Sequence, residues 1–258
     1  MLVAGIAFLG LTLYALRGGL VGRHGMTVVG FDTESLAMGA LAVIAAAYFF
    51  GPMYGIALIL SVMIHEFGHV AAFRVAGHDD ARFRLVPLMG GYAISDSLPA
   101  TQKKDFFISL MGPGISVAPM VLALAAAEYA WDIWPEAASF LTIFGSVTAT
   151  LNFLNLLPFW PLDGGRCVRI IAYTFWPGLA NVLTVAMSAA LAAAAVFTQH
   201  FFLFFFALLG AQSLFHADTI SRVQTRMTWG EGLWATAAYL FTAAAHLSGG
   251  WWLIGHYL

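Results

Sequence analysis

The chain contains 258 residues, of which 61% are hydrophobic and only 9% are charged. Soluble globular domains carry about 25% charged residues, so this chain has too little polar surface to coat a water-soluble fold of its size. Its formal net charge of −2 gives no sign of a cationic surface for phosphate groups, which argues against a nucleic-acid partner. The composition predicts an integral membrane protein that lies almost entirely in the lipid bilayer.

Eight apolar runs predict the membrane-spanning segments, because about 20 apolar residues are needed to cross a bilayer as a helix. Three runs are short for a full crossing and cover residues 2–16, 36–50 and 201–216. The other runs cover residues 52–73, 106–129, 137–157, 178–198 and 232–247. We therefore expect an all-α polytopic membrane protein with about six to eight transmembrane helices.

The positions of the basic residues predict the orientation, because cytoplasmic loops carry an excess of Lys and Arg. If every run crosses the membrane, all 11 Lys and Arg residues lie on one side and the other side has none. The loop that follows residues 52–73 belongs to the basic side. This distribution predicts a multi-pass protein of the cell membrane with that loop in the cytoplasm.

The segment after residues 52–73 has a strand-like pattern. Residues 82–85 alternate between polar and apolar side chains, and Gly90 and Gly91 then predict a turn. We expect a short membrane-associated β-hairpin here, with an ordinary cytoplasmic loop as the alternative.

His65, Glu66 and His69 form a His-Glu-x-x-His pattern within the apolar run 52–73. Positions i and i+4 of a helix share one face, so both imidazoles can reach one metal ion while the glutamate lies beside it. Ionisable groups inside an apolar helix cost roughly a few kcal/mol each unless they have a function or partners, so their presence here favours a function. Gly68 leaves space for the close approach of a neighbouring element. The pattern predicts a zinc site with an adjacent general base.

Two histidines leave a catalytic zinc ion one protein ligand short of the usual three. Asp163 follows the run 137–157 on the same predicted side of the membrane. Two prolines interrupt the helix just before Asp163, and two glycines after it give the chain freedom to turn. We predict that Asp163 completes the ligand set, with the N-cap of the next helix as its alternative role.

Together these motifs resemble the site-2 protease family of intramembrane zinc metalloproteases. The resemblance rests on the motifs His65-Glu66-Phe67-Gly68-His69, Asn155-x-x-Pro158 and Leu162-Asp163-Gly164. It extends to Gly90-Gly91-Tyr92-Ala93, which is similar to the membrane re-entrant hairpin of the family, and to Gly112-Pro113-Gly114. The resemblance covers residues 52–175 and implies a three-helix catalytic core.

The resemblance implies one Zn²⁺ ion per chain on His65, His69 and Asp163, with Glu66 as the catalytic base. It also implies that Asn155 binds the substrate backbone or the developing oxyanion, although an interhelical hydrogen bond is an alternative. The implied reaction is hydrolysis of a peptide bond within or near a transmembrane segment, as in regulated intramembrane proteolysis.

The implied substrate is a single-span membrane protein, which is cleaved near the cytoplasmic side of the bilayer. Gly90, Gly91, Tyr92 and Ala93 are the expected substrate-binding residues, because a strand edge can hold an extended peptide by strand addition. The sequence carries no signal of oligomeric state.

Around the core we expect an N-terminal transmembrane hairpin over residues 1–51 and C-terminal transmembrane helices over residues 176–258. Two other functions use the same residues: a membrane metal transporter or sensor, and an inactive protease-like binding module. The candidate ligands lie on one side with no second site along a path, which argues against transport. The intact Glu66 argues against an inactive protein.

Overall fold

The computed structural model describes residues 1–21, 41, 44–45, 47–49, 51–86, 90–199 and 223–257. These residues are mostly helical. The helices are α1 (Leu2–Ala15), α2 (Pro52–Val75), α3 (Gln102–Ala130), α4 (Pro135–Asn155), α5 (Asp163–Phe175), α6 (Pro177–Thr198) and α7 (Trp229–Tyr257). Two strands, β1 (Arg82–Val86) and β2 (Gly90–Ile94), lie between α2 and α3.

Four of the described helices, α2, α3, α4 and α6, are long and apolar enough to cross a membrane. They coincide with four of the predicted runs, which confirms a mostly helical, multi-pass membrane protein. Helix α1 is apolar but has 14 residues, and α7 contains the predicted run 232–247. The run 201–216 and most of the run 36–50 lie outside the described residues, as do Arg23 and Arg222. The total number of spans and the orientation stay predictions.

The chain divides into two compact units, and the first comprises residues 1–97, 111–154 and 242–258. Its core contains the buried side chains of Val117, Met120 and Ala149. Partly buried Phe8 and Ala245 pack against this cluster, so residues distant in sequence share one apolar interior.

Within the first unit, β1 and β2 form an antiparallel pair that contacts helix α2. The register pairs Val86 with Gly90 and Leu85 with Gly91. The predicted turn at Gly90 and Gly91 is therefore wrong, because both glycines supply backbone groups to the strand pair like any other residue. The connection falls on residues 87–89, outside the described residues.

Hydrogen bonds between two loops close the base of the hairpin. Asp80 accepts hydrogen bonds from the Asp96 backbone N–H at 2.5 Å and from Ser95 Oγ at 3.0 Å. The first of these bonds is the main reason that the pKa of Asp80 lies below its ordinary value. His78 is buried, with Nδ1 3.0 Å from Ser95 Oγ. Arg82 completes the closure with two hydrogen bonds to the Asp96 carboxylate.

The second unit comprises residues 98–110 and 155–241, and in it α5 packs against α6. Buried Asp105 forms an ion pair with Arg166 at 2.5 Å and accepts a hydrogen bond from Gln224 Nε2 at 3.0 Å. Thr101 and Thr225 are joined by a parallel β-bridge. Gln224 is therefore buried as the partner of a carboxylate.

Candidate metal centre

Helix α2 presents the three side chains of the His-Glu-x-x-His pattern inside the protein. His65, Glu66 and His69 are only 5%, 7% and 8% exposed. The helix is continuous through them, so the two histidines lie one turn apart on the same face. Their Nε2 atoms are 3.1 Å apart. Two nitrogen ligands of one tetrahedral zinc ion, each bound at about 2.0–2.1 Å, are separated by roughly 3.3 Å, so this pair has the spacing of zinc ligands.

Glycines bring helices α2 and α3 into direct contact at this point. A Cβ atom on Gly68 would overlap the carbonyl oxygen of Met111, which confirms the predicted close approach at Gly68. A Cβ atom on Gly112 would overlap His69 Nε2 and lie 2.9 Å from His65 Nε2. The backbone of α3 therefore forms one wall of the site, where no side chain fits.

Two polar contacts join α2 to α4 and were not predicted from the sequence. His65 Nδ1 lies 2.7 Å from Asn152 Oδ1, and Ser61 Oγ lies 2.6 Å from Thr148 Oγ1. All four side chains are buried. The signal was present as two polar residues spaced by four in each of two apolar helices, which places each pair on one helix face.

Asp163 joins the two histidines as the third member of the group. One ligand atom from each of His65, His69 and Asp163 lies within 4.8 Å of the others. Among the described residues, this is the one group of three His, Cys, Asp or Glu side chains close enough to share a metal ion. Two imidazole nitrogens and a carboxylate oxygen are a known donor set of catalytic zinc sites. The residues therefore fit zinc.

The local structure around Asp163 corrects two expectations. Asp163 is the first residue of α5 and Leu162 is its N-cap, so the alternative role of Asp163 as the N-cap is wrong. The following glycines do not provide a turn, because both lie inside α5. A Cβ atom on Gly164 would overlap Leu156 O, and one on Gly165 would overlap the Phe159 backbone. These glycines let the incoming chain pass directly against the first turn of α5.

The other predicted site residues lie at the ends of elements. Asn155 is the last residue of α4 and is half-buried. Residues 90–93 belong to strand β2, which contacts α2, the helix that carries the two histidines.

Comparisons with known proteins agree with the motifs. Residues 53–131 match Peptidase family M50. The chain is 30% identical over 116 residues to Zinc metalloprotease MJ0392 of Methanocaldococcus jannaschii, which is 45% of this chain and 33% of that protein. It is 37% identical over 119 residues to Putative zinc metalloprotease Rip3 of Mycobacterium tuberculosis, which is 43% of this chain and 29% of that protein.

The matched parts span about a third of the length of these two curated relatives. A solved structure, Site-2 Protease from Methanocaldococcus jannaschii, aligns with 76% of this chain and 91% of its own, at 21% identity and a TM-score of 0.46. The family match includes His65, Glu66 and His69 and ends before Asp163. The family match and the named relatives confirm the resemblance to the site-2 protease family.

Proposed function

We propose that this chain is an intramembrane zinc metalloprotease that hydrolyses a peptide bond within or near the transmembrane segment of a single-span membrane protein. One observation carries the proposal: the buried His65 and His69 converge with the half-buried Asp163 in a group of zinc-type ligands, on a chain with several apolar helices. Two curated relatives are named zinc metalloproteases, which supports the same chemistry.

In this proposal His65, His69 and Asp163 hold one zinc ion per chain. A zinc ion with three protein ligands keeps a position for water or substrate, lowers the pKa of that water towards about 7 and polarises a carbonyl group. The Asp163 carboxylate balances part of the metal charge. The two neutral imidazoles supply the remaining protein ligands.

Glu66 is the proposed general base. It follows His65 directly on the helix and is 7% exposed, so its carboxylate is largely shielded from bulk water. The carboxylate takes a proton from the attacking water and then donates it to the leaving amide nitrogen. The same residue thus acts first as base and then as acid.

The substrate is proposed to bind in an extended form. A peptide bond inside a helix is shielded by the hydrogen bonds of that helix, so the segment must unwind before water can attack. Strand β2 offers backbone donors and acceptors at Gly90, Gly91, Tyr92 and Ala93 for strand addition to the unwound segment. The Asn155 side-chain amide is proposed to bind the substrate backbone or the developing oxyanion.

The proposed placement is the cell membrane, with residues 52–175 as the catalytic core between an N-terminal transmembrane hairpin (1–51) and C-terminal transmembrane helices (176–258). The excess of Lys and Arg in the loops on one side supports a site near the cytoplasmic surface.

The proposal is tested with purified wild type, Glu66→Gln and Glu136→Gln in detergent with zinc. Glu136 is exposed in the first turn of α4, so its substitution makes the same chemical change away from the ligands. We expect Glu66→Gln to retain zinc and lose cleavage of a model transmembrane substrate, whereas Glu136→Gln cleaves like wild type. Cleavage at the wild-type rate by Glu66→Gln would contradict the proposal.

A further inference from the structure

The second ring nitrogen of His65, Nδ1, contacts Asn152. The amide side chain of Asn152 lies within the apolar helix α4. Asn152 is fully buried, and burial of an amide is costly unless its polar atoms have partners. The Nδ2 atom of Asn152 donates a hydrogen bond to Thr148 O at 2.7 Å, and Oδ1 lies 2.7 Å from His65 Nδ1. Both ends of the amide are therefore engaged.

The contact to Thr148 O fixes which way the Asn152 amide faces. A carbonyl oxygen can only accept, so the atom of Asn152 that faces it must be the N–H donor Nδ2. Oδ1 is then the atom that faces His65, and because Oδ1 only accepts, His65 Nδ1 must carry the proton. A neutral imidazole protonated at Nδ1 has its lone pair at Nε2.

That lone pair is directed at the candidate metal position. His65 Nε2 is the atom that lies 3.1 Å from His69 Nε2 and faces the backbone of Gly112. Hydrogen bonds to the second ring nitrogen of a zinc-binding histidine commonly set its tautomer, its orientation and its basicity.

We propose that Asn152 is a positioning residue that holds His65 in the Nδ1-protonated tautomer, with Nε2 ready to bind the metal. This inference rests on the proposed function, because it takes His65 as a zinc ligand. Asn152 acts through His65 and needs no contact with the substrate or the metal.

One helical turn away, the same two helices provide a matched control. Ser61 Oγ donates its proton to Ala57 O at 2.7 Å, so Thr148 Oγ1 is the donor in the 2.6 Å bond to Ser61. Thr148 and Asn152 are both fully buried on α4, and each makes one side-chain hydrogen bond to α2. Only the Asn152 bond reaches a candidate ligand. Thr148→Val therefore removes an equivalent interhelical bond and leaves His65 unchanged.

The experiment measures zinc affinity by competition with a chelator for wild type, Asn152→Leu, Asn152→Asp and Thr148→Val, each eluting as a folded protein in detergent. We expect Asn152→Leu to bind zinc about 10–100-fold more weakly. Asn152→Asp keeps an acceptor oxygen for Nδ1–H and, with its other oxygen protonated, a donor for Thr148 O, and Thr148→Val keeps the Asn152 amide. Both should stay within about threefold of wild type. Co²⁺ substitution gives a second readout, because its visible absorption reports ligand geometry at the metal.

If Asn152→Leu does not fold, Asn152→Ser replaces it, because a serine hydroxyl can bond to Thr148 O and is too short to reach His65. The proposal is overturned if the Leu or Ser variant binds zinc like wild type, if Thr148→Val loses as much affinity, or if Asn152→Asp loses tenfold or more. Wild-type protein that binds no zinc would instead contradict the proposed function, so the two failures are distinguishable.

Discussion

The two histidines and the aspartate of the candidate metal centre are held by different kinds of structure. His65 and His69 lie within one continuous apolar helix and are bordered by the backbone of Gly112 and by the buried side chain of Asn152. Asp163 lies at the start of a short helix after a break in the chain, and the first turn of that helix is held by the ion pair between Arg166 and Asp105. The histidine pair is thus set by local helix geometry, and the aspartate by contacts between distant segments.

The largest expected effect comes from removing a ligand on either side of this comparison. His69→Ala removes one of two nitrogen ligands from the rigid helix, so we expect loss of both zinc binding and cleavage. Asp163→Asn keeps a neutral oxygen donor, so zinc binding should weaken without disappearing. Metal analysis and substrate cleavage on purified variants check both. Full activity of Asp163→Asn would remove Asp163 from the ligand set.

Gly112, whose backbone borders both histidines, offers a sharper test of how the histidine pair is held. Gly112→Ala places a methyl group against both Nε2 atoms, so we expect strong loss of zinc affinity. Gly114→Ala is the matched control on the same helix, because its methyl group would contact only the flexible Met111 side chain. Zinc titration of the two folded variants makes the comparison. Equal zinc affinity in both variants would show that the α3 backbone does not border the metal.

The ion pair between Arg166 and Asp105 provides a test of how Asp163 is held at the start of α5. Arg166→Met leaves Asp105 buried without its cation, and breaking a buried pair costs about 3–5 kcal/mol. The Arg166 side chain is 34% exposed, so screening by solvent lowers our expectation to roughly 2 kcal/mol. Thermal unfolding in detergent should show a lower Tm, accompanied by weaker zinc binding. An unchanged Tm would mean that the ion pair does not hold the start of α5.

The smallest expected effect is a pH dependence at the start of α7, in the same unit as Asp163. Hydrogen bonds from the Thr228 backbone and from Lys103 lower the pKa of Glu231 to about 2 from 4.5. A carboxyl group whose pKa is lowered by folding stabilises the folded protein at pH values above its pKa in the unfolded chain. This stabilisation is lost as the pH falls towards its pKa in the folded protein. The Tm difference between wild type and Glu231→Gln should therefore shrink as the pH falls from about 5 to about 3. A constant difference across this range would contradict the assignment.

Local sequence patterns were sufficient to predict that the two histidines share one helix face. They were insufficient to predict which side chains surround the pair. The spacing of His65 and His69 determines their common face, and Gly68 by itself indicated a close neighbour on the same helix. The partner of His65 is 87 residues away, and Gln224 is 119 residues from Asp105. No local periodicity reports such pairs, because they depend on which helices become neighbours.

His246 illustrates the same limit at the C-terminal helix. The predicted apolar run ends at residue 247, which places His246 at the end of that span. Helix α7 in fact continues to Tyr257, so His246 lies well inside it. The side chain is fully buried, and Nε2 donates a hydrogen bond to Pro113 O at 2.9 Å. The end of an apolar run therefore did not mark the end of the helix.

The central claim is that His65, His69 and Asp163 together hold one zinc ion. X-ray absorption at the zinc K-edge on the purified protein tests it most directly, because the spectrum reports the number of imidazole ligands and the donor elements. We predict one zinc ion per chain with two imidazole ligands and otherwise oxygen donors in the wild type, and no bound zinc in His69→Ala. A site with sulfur donors, or a spectrum unchanged by His69→Ala, would contradict the account.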